Sequence, residues 1–156
     1  MYRVLKFLHL LGLTLFLGSI FGHIVVSVLG GGPHSPLFLF ARQNVTTATN
    51  VLTIPGLGLA IVSGIGMAVI SRLSPLRARW LALHGSLALV VAAIAAVAII
   101  PAGRDMLQGA IALRDGSPDV AAAQILTAKR IEDIAGAINI LLALTIAAIG
   151  VWKPKL

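Results

Sequence analysis

The sequence predicts an all-α integral membrane protein: a single four-helix bundle of up-down topology, with helical extensions at its non-cytoplasmic end. Three observations carry this. Of the 156 residues, 58% are hydrophobic and only 11% charged, where a soluble chain is about a quarter charged. Four apolar stretches, residues 7–29, 51–70, 80–100 and 134–152, approach the roughly 20 helical residues that cross a bilayer core. The few charges fall between or just outside those stretches and sort by side. This composition excludes an ordinary cytosolic enzyme and a disordered tail. The absence of cysteine excludes a disulfide framework, a zinc knuckle and an iron–sulfur cluster.

The first stretch follows Arg3 and Lys6, as a secretory signal would. However, it is about twice the length of a signal core, carries His9 and His23, and ends in Leu29-Gly30-Gly31-Gly32-Pro33 without a good small-x-small cleavage site. It is read as a retained span. The second has Pro55 near its start, which membranes tolerate where neighbours satisfy the freed carbonyl; Thr46, Thr47, Thr49, Asn50 and Thr53 supply polar groups there. In the third, Ala88 to Ile100 contains no polar residue, so the alternation of a membrane-barrel strand is missing.

Beyond it, Pro101 is placed to kink or end the helix. Arg104 to Arg114 has helical composition, and Asp115-Gly116-Ser117-Pro118 reads as a turn. Ser117 or Asp119 is positioned to cap a helix from Val120 that runs into the fourth span. Small residues recur at helical spacing as Gly18 and Gly22, Gly56, Ala60, Gly64 and Ala68, Ala88, Ala92 and Ala96, and Gly136, Ala143, Ala147 and Gly150. Such stripes let backbones approach closely in lipid.

Four spans put both termini on one side. That side collects Arg3, Lys6, Arg72, Arg77, Arg79, Lys153 and Lys155 and no acid, while the other holds Arg42, Arg104, Arg114, Lys129 and Arg130 with all 5 acids. The positive-inside rule then places both termini and the 71–79 loop in the cytoplasm of a bacterial-type inner membrane. The net charge of +7 is thereby a topology signal. It is not the basic face that nucleic-acid binding needs, and lipid is the expected partner.

Ionisable groups inside membranes are costly and usually face a bundle interior. His9, His23 and His84 fall within spans; His34, between Pro33 and Pro36, is expected to be exposed. His9 and His23 return to within about 40° of one helical face, about 21 Å apart. His9 and His84 sit a few residues into two spans that run in the same direction, so they share one depth near the basic side. Two facing imidazoles across a bundle core clamp haem iron axially. Lys6, Arg77 and Arg79 lie at that end to meet the anionic propionates, and Gly12, Gly85 and Ala88 leave space beside the pair. The plain alternative is that each histidine is a hydrogen-bonded packing residue.

His23 is near the other end, with Asn50, Asn139, Glu132 and Asp133 as candidate partners. A structural hydrogen bond, a second metal ligand and a proton relay are its readings. Glu132 and Asp133, following Lys129 and Arg130, read as an interfacial ion-pair cluster. Met1, Met67 and Met106 are too scattered for a copper site.

The chain also resembles a known family. Leu5-Lys6-Phe7-Leu8-His9 before a glycine-containing apolar run, Trp80-Leu81-Ala82-Leu83-His84 at the start of span three, and Arg130-Ile131 leading to Trp152-Lys153-Pro154 look like the HemJ-type protoporphyrinogen oxidases and related small four-span membrane proteins of unknown function. The resemblance implies a four-span bundle, haem b, and a ligand histidine at the position of His9. It departs at Ser86, where that family carries a lysine important for activity.

The expectation is a b-type haem-binding membrane protein with haem between spans one and three on His9 and His84. It would be an electron-transfer protein, or an oxidoreductase acting on a small substrate, with a quinone or a porphyrin as partner. The alternative is a cofactor-free scaffold, assembly or transport accessory protein whose small-residue stripes form a homodimer or larger oligomer. A third reading is proton or metal-ion passage along His23, Asn139 and Glu132.

Overall fold

The computed structural model describes residues 1–72 and 78–154, with the side chains of 118–120 outside that description. Its elements are α1 (Tyr2–Gly30), α2 (Phe38–Ala48), a π turn (Thr49–Thr53), α3 (Ile54–Ile70), α4 (Arg79–Ile94), a second π turn (Ala95–Ile99), α5 (Ile100–Arg114) and α6 (Pro118–Trp152). There is no strand among the described residues. Because α2 runs through its π turn into α3, and α4 into α5, four helices are long and apolar enough to cross a membrane: Tyr2–Gly30, Phe38–Ile70, Arg79–Arg114 and Ala121–Trp152. The architecture is the all-helical four-span bundle that the composition predicts.

The helices outrun the apolar windows, and the prolines explain how. A proline inside a helix lacks an N–H and its ring presses on the carbonyl of residue i−4. For Pro55 and Pro101 those residues are Val51 and Val97, each inside a π turn. The wider turn gives the carbonyl room. Pro101 therefore does not end the third helix, which continues to Arg114, and residues 38–50 are helix where a polar connection was expected.

The helical extensions at the far end are present. They join through Asp115 and Gly116, whose φ of 87° suits glycine alone, with the Ser117 amide donating to the Ala112 carbonyl at 3.0 Å. Ser117 makes no side-chain capping bond; the side chain of Asp119 lies outside the described residues. Pro118 opens α6 instead, where its missing N–H costs nothing.

Packing follows membrane rules. Large apolar side chains such as Val28 (74% exposed) and Val97 (79%) point outward, and close approach is left to small residues. α1 packs along α3 and α4–α5 along α6, forming two hairpins that meet mainly where α2 lies on α5. The tightest crossing is Gly12 on α1 against α3: a Cβ there would stand 2.6 Å from the Ala60 nitrogen and 2.7 Å from the Gly56 oxygen. Gly18, Gly22 and Gly136 have no such neighbour within 4 Å, so the stripe reading fails at those positions.

Two buried clusters result. At the far end Phe38, Ala102, Met106, Ala121 and Ile125 join α2, α5 and α6. At mid-bundle Phe16, Val91, Ala143 and Ile146 join the two hairpins. The free ends of α1 and α6 share one end of the bundle, together with Arg3, Lys6, Arg72, Arg79 and Lys153, while the described acids gather at the other.

Candidate functional site

At the basic end, His9 of α1 and His84 of α4 face each other with ring centroids 6.4 Å apart and planes tilted by 45°. Each ring is held from its own hairpin. His9 Nδ1 lies 2.7 Å from the Ala60 carbonyl of α3, and His84 Nδ1 lies 3.0 Å from the Ile146 carbonyl of α6. A carbonyl only accepts, so both Nδ1 atoms donate, and in a neutral ring Nε2 is then the nitrogen with the lone pair.

One turn beyond each carbonyl stands a glycine against the ring: a Cβ on Gly64 would lie 3.2 Å from His9 Cε1, and one on Gly150 would lie 3.2 Å from His84 Cε1. The halves thus repeat one device, a histidine bonded to a carbonyl four residues ahead of a glycine. The repeat extends outward, because Phe16 and Val91 each lie seven residues after their histidine and are both buried. They close the bundle about 10 Å beyond the imidazoles.

His9 and His84 are the residues that could hold a metal or a metal-bearing cofactor here, each through its Nε2. A backbone carbonyl on Nδ1 is the usual outer partner of a metal-bound histidine. Gly85 has open space beside it, whereas Gly12 does not, since α3 fills that position. Among the described residues no three His, Cys, Asp or Glu side chains form a cluster, so a polydentate zinc-type centre is not assembled. Lys6 and Arg79 are exposed at the same end; Arg77 lies outside the described residues. Lys153 stands over the Trp80 ring at 5.6 Å. Ser86 is exposed and its hydroxyl donates to the Leu83 carbonyl of its own helix at 3.1 Å.

A second polar centre lies toward the far end. Arg42 of α2, 4% exposed, donates from Nη1 to Glu132 of α6 at 2.9 Å and from Nη2 to the Ser27 hydroxyl of α1, with its guanidinium 5.9 Å from the Phe38 ring centre. Glu132 therefore pairs across the hairpins and not with Lys129 or Arg130, while Lys129 bonds Asp133 at 2.7 Å within α6. Beside this pair is a cavity of about 730 Å³, onto which His23, Asn50, Asn139, Glu132 and Asp133 all open. The structure brings His23 together with its expected partners but bonds its buried Nε2 to none of them. His34 is exposed, as expected.

In the sequence Arg42 reads only as a charge belonging to one side of the membrane. Its signal was its isolation, as the one ionised residue between Lys6 and Arg72.

Residues 3–154 fit the family model described as predicted integral membrane protein (DUF2269). No curated protein and no solved structure matches the chain.

Proposed function

The chain belongs to the DUF2269 family of predicted integral membrane proteins, and from that premise we propose that it is a b-type haem-binding redox protein of the membrane. The observation that carries the reading is the His9–His84 pair, with its centroid spacing of 6.4 Å and with both Nδ1 atoms engaged by carbonyls. His9 and His84 would be the axial ligands. Haem so held supplies one-electron chemistry at iron, with a potential set by ligands and burial.

The rest of the work belongs to the chain. The Ala60 and Ile146 carbonyls fix the tautomer and raise ligand basicity. Lys6 and Arg79, with Arg77, would meet propionates at the basic end, which the positive-inside rule assigns to the cytoplasm of an inner membrane. Phe16, Val91, Ala143 and Ile146 keep water from the outer side. The likeness to HemJ-type oxidases supports His9 as a ligand. Ser86 in place of that family's lysine favours a chemistry other than porphyrinogen oxidation.

Purified protein tests this directly. A Soret band, haem b by pyridine haemochrome and stoichiometric iron are expected, all lost in His9→Ala and His84→Ala; a colourless parent protein sinks the proposal. One observation favours a second reading, a cofactor-free scaffold. The carbonyl bonds already satisfy one nitrogen of each ring, as they would for packing histidines, and that reading expects a colourless protein whose fold weakens when either histidine is removed.

A further inference from the structure

The far-end cavity holds more unanswered polarity than packing explains. Among the described residues four buried side-chain atoms have no hydrogen-bond partner: His23 Nε2, Arg42 Nε, Thr46 Oγ1 and Asn139 Oδ1. All four residues line the same cavity of about 730 Å³, a size within the range of small-molecule sites. Arg42 and Asn139 are 4% and 2% exposed. Orphaned buried polar atoms are costly, so a cluster of them around one space marks a place where a ligand completes the bonds.

The chemistry of the walls selects the ligand class. Arg42 is paired with Glu132 and Lys129 with Asp133, and the third cation on the wall, Arg104, is exposed, so a phosphate or carboxylate inside the cavity would meet two acids and no unpaired buried cation. The orphan set mixes an obligate donor, Arg42 Nε, an acceptor, Asn139 Oδ1, and groups able to play either part, Thr46 and His23. A neutral ligand with both carbonyl and hydroxyl oxygens satisfies such a set. Between the polar points the wall is apolar, with Phe16, Ile20 and Ile99. Ile24 and Val28 line the cavity while 50% and 74% exposed, so its mouth opens on the lipid-facing surface of α1.

We propose that this cavity is a binding site for a lipid-soluble quinone and its quinol. The ring oxygens accept from Arg42 Nε and Thr46, and a quinol hydroxyl donates to Asn139 Oδ1. The site stands apart from His9 and His84, beyond the Phe16 and Val91 layer, and does not depend on haem at the histidine pair.

Binding of decylubiquinone and decylubiquinol to the delipidated full-length protein, followed by calorimetric titration in detergent, tests the proposal. One saturable site per chain is expected. The near-isosteric variants Thr46→Val and Asn139→Leu should each weaken binding by about fivefold or more, with Ser86→Ala unchanged. Binding is expected whether or not the purified protein carries pigment, so failure of the haem reading and failure of this one are separable. No saturable binding of either form overturns the proposal. So does affinity unchanged in both cavity variants, or displacement by phosphatidylglycerol but not by excess quinol.

Discussion

His9 and His84 stand on different hairpins, yet each reaches back to its own hairpin for the same bond, Nδ1 to a carbonyl, at 2.7 Å and 3.0 Å. Both rings are thereby aimed across the interface, and the two halves of the chain contribute equally to what lies between them. A pair made this way is held in orientation, since rotating either imidazole breaks its bond to the carbonyl.

If the pair holds haem, substitution should separate ligation from folding. His9→Ala or His84→Ala is expected to reduce the Soret absorbance to less than about a tenth, because losing even an outer partner of a metal ligand costs 10–100-fold in affinity. His84→Met should retain pigment with a raised midpoint potential. Spectra and a redox titration check both.

The glycines against the rings offer a finer probe. Gly64→Ala or Gly150→Ala places a methyl 3.2 Å from the histidine Cε1, so the ring must give by a few tenths of an ångström. If the pair holds haem, a folded protein with a shifted midpoint potential is expected, while Gly18→Ala, with no neighbour within 4 Å, should leave the potential unchanged.

Arg42 and Glu132 form a buried pair across the hairpins, and such pairs are far costlier to break than to replace. Glu132→Leu should destabilise the protein by about 3–5 kcal/mol, and the double change Arg42→Met, Glu132→Leu should recover most of that loss. Unfolding in mixed micelles of increasing dodecyl sulfate content measures the three differences.

Close backbone contact makes Gly12 intolerant. Gly12→Ala drives a Cβ to 2.6 Å from the Ala60 nitrogen and should cost about 1–3 kcal/mol or more by overpacking. Gly22→Ala has open space and should be neutral within about 0.5 kcal/mol. The same unfolding titration distinguishes them.

The absence of native cysteine makes topology directly measurable. Ser71→Cys, at the basic end, should be labelled by an impermeant maleimide only after the membrane is opened, and Gly116→Cys, at the far end, in intact cells. The reverse pattern would invert the positive-inside assignment.

Span number was legible because each helix contains a long apolar window, and lipid imposes that composition. Helix length was not, because α2 and α5 extend beyond the windows as polar helices whose apolar residues, Phe38 and Met106 among them, are buried against each other as in a soluble core. The His9–His84 pairing could be inferred from equal depth on parallel spans. Its supports could not, since any residue supplies a carbonyl and only the fold selects Ala60 and Ile146. Gly64 and Gly150 were visible, but their spacing suggested helix packing and not a seat for an imidazole. Arg42 escaped because the segment around it lacks the apolar run that announces a span, and its partner lies in the other hairpin.

The π turns at Thr49–Thr53 and Ala95–Ile99 act on phase. A π turn takes one residue more than an α turn, so it offsets everything beyond it by about 100° relative to an uninterrupted helix. The outer halves of the second and third helices are in this way indexed independently of the inner halves. Deleting a single residue from the first π turn would keep Ala60 and Gly64 in register with His9 while swinging Arg42 out of line with Glu132. The histidine pair and the far-end cavity can thus drift separately in evolution, although they are built on the same four helices.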